Sequence, residues 1–182
     1  MATVFDKILD TTTGRKSYDW YKRKVQAMTT PSAKTLISQG KATLRPKYGV
    51  MNLFGYDPKH KDKLPYYDIF PLIFPLEPAK GGFIGLNFHY LPYGARFAFL
   101  QQLQSFASNS KFDQSTKIQA TYKQVKSNKY VKASIKKYLY SQVRSNFLRI
   151  DVNEMALAAY LPVADFQGAT LGQVFARTRR TY

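Results

Sequence analysis

Between Asp68 and Glu77 the chain reads Asp-Ile-Phe-Pro-Leu-Ile-Phe-Pro-Leu-Glu, a β-branched and aromatic run interrupted by Pro71 and Pro75. That composition asks for a strand. Proline has no amide proton to give to a ladder, so the strand is expected at a sheet edge, or paired on one side only. The neighbouring sequence extends the pattern. From Tyr48 to Tyr56 residues alternate with period two up to the Asp57-Pro58 stop, Gly81-Gly82 supplies a tight turn, and Phe83 to Tyr90 reads as a third strand. Three short strands need helices packed on them to be stable, which predicts an α+β fold. A small antiparallel β-sheet at about 47–90 would be covered by C-terminal helices and preceded by a basic N-terminal arm.

The flanks supply the helices. Residues 3–10 and 16–28 fit short helices, stopped by Thr29, Thr30 and Pro31, and the polar, basic stretch Ser32–Pro46 reads as an arm or linker. Pro92 suits the first turn of a helix running to about Ala107, with Ala95, Phe99, Leu103 and Phe106 on one face. Further helices are expected at about 115–127, 130–145, 151–160 and 169–180. In the helix at 130–145, Val131, Ile135, Tyr138, Leu139 and Gln142 would form a buried stripe and Lys132, Lys136, Tyr140 and Arg144 the other side. Asp151 with Glu154 three residues later resembles a capping box. The expected division is a helical arm or linker at 1–46 and one α+β domain at 47–182, β-rich over 47–91 and helical over 92–182.

Charge is unevenly placed along this framework. The net charge is +17, with 28 Lys and Arg against 11 Asp and Glu. Residues 1–50 hold ten basic residues against three acidic ones, and residues 111–150 hold ten against Asp113 alone, whereas the centre and the last stretch are nearly balanced. Such an excess speaks to partners: nucleic acid, an acidic protein face inside an assembly, or simple solubility. Eight of the ten basic residues in 111–150 are lysine. Lysine is a flexible point charge suited to phosphate contacts that carry no sequence information. The candidate polyanion surface is Lys117, Lys123, Lys126, Lys132, Lys136 and Arg144, with Tyr140 available to stack on a base. The opposing reading leaves these lysines as the solvated face of amphipathic helices.

Catalytic chemistry finds little support. The absence of cysteine excludes disulfides and thiolate metal sites. His60 and His89 are too few and too far apart for a metal signature, and His89 reads as a hydrogen-bonded structural residue. Lys80-Gly81-Gly82 lacks phosphate-loop spacing, and no nucleophile motif is present. The chain is therefore expected to be non-enzymatic, with no cofactor and no metal. No apolar run approaches the roughly 18–20 residues that span a bilayer, so no membrane partner is expected.

The string from Lys63-Leu-Pro-Tyr-Tyr through Glu77, then Gly81-Gly-Phe-Ile-Gly-Leu-Asn-Phe-His-Tyr-Leu-Pro92, resembles a family of virion proteins of T-even-type contractile-tailed bacteriophages, the DNA end protectors among them. Lys137-Tyr-Leu-Tyr, Arg144-Ser-Asn-Phe-Leu and the closing Phe175-Ala-Arg-Thr-Arg-Arg180 are similar too, so the resemblance covers about 45–180. It implies a structural protein of the phage particle, made in the host cytoplasm, that sits on the packaged genome end and contacts double-stranded DNA. It carries over no catalytic residue. Two alternatives remain open at this point. One is a neck, tail or baseplate component present in several copies of a symmetric assembly, whose basic faces meet acidic virion proteins and whose aromatic centre, Tyr66, Tyr67, Phe70, Phe74, Phe83 and Phe88, forms a protein interface. The other is an RNA-binding protein.

Overall fold

The three strands expected at the centre become half of a larger sheet. The computed structural model describes Phe5 and residues 18–27, 31–107, 110, 111, 113, 123, 125, 127 and 129–180. In chain order the elements are α1 (Tyr18–Ala27), α2 (Ala33–Gln39), β1 (Lys41–Thr43), β2 (Met51–Leu53), β3 (Tyr67–Asp68), β4 (Leu72–Ala79), β5 (Gly82–Asn87), α3 (Tyr93–Ala107), α4 (Lys129–Lys132), β6 (Ile135–Leu139), β7 (Phe147–Ile150), α5 (Met155–Tyr160), β8 (Phe166–Gln167) and α6 (Leu171–Arg180). Six strands form one antiparallel sheet in the order β1-β7-β2-β4-β5-β6, and β3 pairs with β8 beside it. The fold is α+β. Of the expected helices at 3–10 and 115–127, only Phe5, Lys123, Val125 and Ser127 fall among the described residues, and these four are helical.

The proline-bearing strand is interior rather than an edge. β4 pairs with β2 through Leu72 and Ile73 and with β5 from Ile73 to Ala79. The rule about proline survives locally, because Pro75 and Pro78 lie beyond the β2 register and are paired with β5 alone. A bulge between Pro75 and Glu77 absorbs the misfit.

The helix expected at 130–145 is a correction. Only Lys129–Lys132 is α-helical there, with a single 3-10 turn at Tyr140–Gln142; Ile135–Leu139 is the edge strand β6, paired residue for residue with Leu86–Gly82 of β5. Spacings such as Ile135, Tyr138, Leu139 suit a helix face, but long-range pairing overrides them. Gly82 makes the pairing possible, since a Cβ there would overlap the Tyr138 carbonyl oxygen. Residues 92–182 thus contribute two strands to the main sheet, β6 and β7. The stretch read as an arm holds α2 and β1. Ser32 caps α2 by accepting from the Thr35 amide at 3.1 Å, and Lys41–Thr43 joins the sheet against β7.

Both faces of the sheet are buried, as strand alternation allows. On one face Leu72, Phe74, Leu76, Leu86, Leu148 and Ile150 meet Val25, Leu36, Phe99, Leu100 and the wholly buried α5. On the other, Ile73 and five rings (Phe54, Tyr56, Phe83, Tyr138 and Phe147) make a second core. Phe83 and Tyr138 stack at 5.5 Å, and Phe54 lies 4.6 Å from Phe147. This cluster sits where residues 54–57 and 140–145 are laced together. Gly55 donates to Ser145 Oγ, Arg144 donates its amide to the Gly55 carbonyl, and the Leu139 amide donates to Tyr56 Oη. Phe74, Phe83 and Phe88 are at most 2% exposed, which removes them from the expected protein interface because the chain's own cores consume them. Tyr66, Tyr67 and Phe70 are half-buried.

Arg96 fixes α3 to this framework. It is fully buried and donates to the carbonyls of Leu91 (2.7 Å), Ala159 (2.9 Å) and His89 (3.2 Å), with Tyr93 4.4 Å from its guanidinium. The Ala159 carbonyl lies in the last turn of α5, where a cation also meets the negative end of the helix dipole.

Candidate nucleic-acid interface

The loop from Gly55 to Phe70 crosses the aromatic core and divides the surface there into two adjoining grooves. It is held in place at its far end by the β3–β8 pair and by Gly168, whose positive φ of 86° turns the chain directly under Pro65. Tyr66 packs on Tyr90 and Phe166, and Arg177 of α6 lies over the Tyr66 ring at 5.2 Å. Tyr56 and Tyr67 line both grooves.

The first groove has a volume of about 370 Å3. Its wall includes Leu64, Tyr56, Tyr67, Tyr90 and Tyr138, and its basic groups are Lys59, His60, Lys136 and Lys137. Lys136 projects from the edge strand with Nζ 4.6 Å from the centre of the Tyr90 ring, and among the described residues it makes no ion pair. Burial pushes its ammonium below the ordinary lysine range. Burial likewise raises the Tyr56, Tyr90 and Tyr138 phenols, so these rings stay neutral at physiological pH.

Among the described residues Asp68 is the one carboxylate lining this groove, and its hydrogen bonds go elsewhere. Oδ2 lies 2.7 Å from His89 Nδ1 and accepts from Asn87 Nδ2 at 3.1 Å, while Oδ1 accepts from the Phe70 amide. His89 is fully buried and hydrogen-bonded, the structural role read from its sequence context. The charges that reach solvent at the groove are those of the lysines, Asp68 being 4% exposed.

The second groove, about 500 Å3, lies between α2 and the loop and is lined by Lys34, Ile37, Ser38, Phe70, Arg144 and Ser145. Its carboxylate, Asp57, is bonded to Lys61 at 2.9 Å and lies 3.7 Å from Arg144. The hydrogen bond from Lys61, ahead of the charges of Lys61 and Arg144, holds the Asp57 carboxyl below its ordinary range.

Of the six cations singled out from sequence, Lys136 and Arg144 come together at these neighbouring grooves, from β6 and from the segment after it rather than from one helix face. Lys123 and Lys132 are exposed and line neither groove. Lys117 and Lys126 lie outside the described residues. Tyr140 is half-buried with the Arg45 guanidinium 4.1 Å above its ring, so a base would have to displace that stack. Sequence reasoning missed Lys34, Lys59 and Lys137 as members of one surface, since their contact depends on where α2, the central loop and β6 meet. Among the described residues no three His, Asp or Glu side chains converge to hold a metal ion.

Two adjoining grooves lined by aromatic and basic side chains can hold phosphates and stack bases. No curated protein and no solved structure matches the chain. A family model described as phage T4 terminal DNA protecting protein matches residues 5–179.

Proposed function

The chain belongs to the phage T4 terminal DNA protecting protein family, and on that premise we propose that it binds the ends of linear double-stranded DNA in a phage particle and shields them from nucleases without itself performing catalysis. The family match over residues 5–179 carries this reading. The two grooves supply its means. Lys34 and Arg144 on one side of Tyr56, and Lys59, Lys136 and Lys137 on the other, hold the phosphates of the terminal base pairs. Lys123, Lys132, Lys117 and Lys126 extend the contact along the duplex. Because the cations are mostly lysine, binding tolerates any sequence and weakens steeply with salt.

The protein acts as a stoichiometric cap, made in the host cytoplasm and carried in the virion. The half-buried ring of Tyr66, which lines neither groove, remains available to a neighbouring virion protein.

The test is resistance of linear duplex DNA to a double-strand-specific exonuclease at low salt. The expected outcome is protection that saturates with the number of DNA ends rather than with base pairs, and that is lost as salt rises. Digestion at the unprotected rate while the protein is in excess over ends contradicts the proposal.

A further inference from the structure

A DNA end differs from the rest of a duplex in one respect besides its missing phosphate link: its last pair is stacked on one side only and opens most easily. A protein that must tell an end from an interior site can exploit this by holding a terminal nucleotide outside the stack. The first groove has the size and the chemistry for such a guest. At about 370 Å3 it falls within the roughly 300–1,000 Å3 of small-ligand sites, and it admits a nucleotide but not a duplex.

Its wall presents the Leu64 side chain, which is 44% exposed, next to the rings of Tyr67 and Tyr90. An exposed leucine and the half-buried Tyr67 ring suit the flat apolar face of any base. Lys136 stands half-buried over Tyr90 and makes no ion pair among the described residues, and Lys59 and Lys137 line the same groove. A partly desolvated ammonium lacking an ion pair is stabilised by an incoming anion. The groove's Asp68 directs its hydrogen bonds to His89, Asn87 and the Phe70 amide and makes no ion pair with Lys136.

We propose that this groove receives one unpaired terminal nucleotide of the DNA end, its base against Leu64 and Tyr67 and its phosphate at Lys136 and Lys137. The inference rests on the end-binding reading and deepens it. It makes the protein a reader of frayed or overhanging ends rather than of phosphate density alone.

Competition among short duplexes against the full-length protein tests it. The duplexes carry a blunt end, a terminal mismatch, a single-nucleotide 3′ or 5′ overhang, or the same overhang with an abasic residue. The expected result is about tenfold tighter binding of the mismatch or of one overhang than of the blunt end, a difference of the size a single base stack provides, and loss of that advantage with the abasic residue. Leu64→Glu, at an exposed position, brings overhang and blunt ends to within about twofold of each other, as charge repulsion and loss of the apolar wall dictate. Equal binding of blunt, overhanging and abasic ends by the unaltered protein overturns the terminal-nucleotide inference and leaves end binding standing. Failure to bind any of these duplexes at low salt overturns both.

Discussion

Replacing Lys34, Lys59 and Lys137 together by glutamine removes three cations that line the two grooves, and all three are exposed, so the fold has little reason to respond. None of them makes an ion pair among the described residues, so each is free to displace a counterion from DNA. Each phosphate neutralised contributes about 0.9 to the slope of log K against log salt for duplex DNA, so the triple variant should lose about 2.7 of slope. Between 50 and 200 mM salt that amounts to roughly a 40-fold smaller fall in affinity than the unaltered protein shows. Fluorescence anisotropy of an end-labelled duplex at four salt concentrations measures it. Lys80→Gln is the control, because Lys80 is equally exposed but sits at the β4–β5 turn and lines neither groove. A triple variant whose salt slope equals that of Lys80→Gln refutes the assignment of the grooves as the phosphate-binding surface.

Lys136→Met should stabilise the fold by about 0.5–2 kcal/mol at pH 7 while weakening DNA binding, the trade-off of a half-buried cation kept for a ligand. Burial places the folded-state pKa of Lys136 below its unfolded value, so between the two the unfolded chain binds more protons and the unaltered protein gains stability as pH rises. Urea titrations should therefore show the gap between variant and parent narrowing from pH 7 to pH 10, and a variant less stable at pH 7 counts against the reading. Arg96→Met strands the Leu91, His89 and Ala159 carbonyls in the core and should cost at least about 3 kcal/mol; a loss under about 1 kcal/mol in the same titrations would show that α3 is anchored otherwise. Gly82→Ala forces the β5 and β6 backbones apart, for about 1–3 kcal/mol, with faster hydrogen exchange at Ile135–Leu139 as the specific sign. Unchanged exchange there would mean that the strands accommodate a methyl group.

What the sequence made legible was mostly local. The Pro92 helix start, the period-two run around Met51–Leu53 and the Gly81-Gly82 turn were readable because each depends on residues a few positions apart. Two further local signals went unread. Thr170 and Gln173 form a reciprocal cap on α6, with Thr170 N donating to Gln173 Oε1 and Gln173 N to Thr170 Oγ1, and Ser32 caps α2. At Asp151 half of the expected capping box is present, the Asp151 amide donating to Glu154 Oε2 at 2.8 Å, while the Asp151 carboxylate turns to Lys41 and Arg149.

Non-local pairing was not legible. β6 finds β5 about fifty residues back in the chain, and β7 inserts between β1 and β2, so Lys136 and Arg144 reach the grooves by a route that no helical wheel describes. The same pairing explains the aromatic centre. Phe74 and Phe83, expected as outward contacts, lie on opposite faces of the sheet: Phe74 packs in the core with α5, and Phe83 against Tyr138, Tyr140 and Phe147. The candidate site is accordingly a product of topology, with its lysines legible as charge and their grouping legible only in three dimensions.

End recognition itself is tested most directly by competing an end-labelled linear duplex off the protein with closed circular plasmid or with the same plasmid cut once, at equal mass and at about 50 mM salt, where phosphate contacts are strong. The cut plasmid should displace the label in proportion to its ends, at concentrations at least tenfold below those needed for the intact circle. Equal displacement by circular and linear DNA, base pair for base pair, would contradict the account and leave only a general DNA-binding surface.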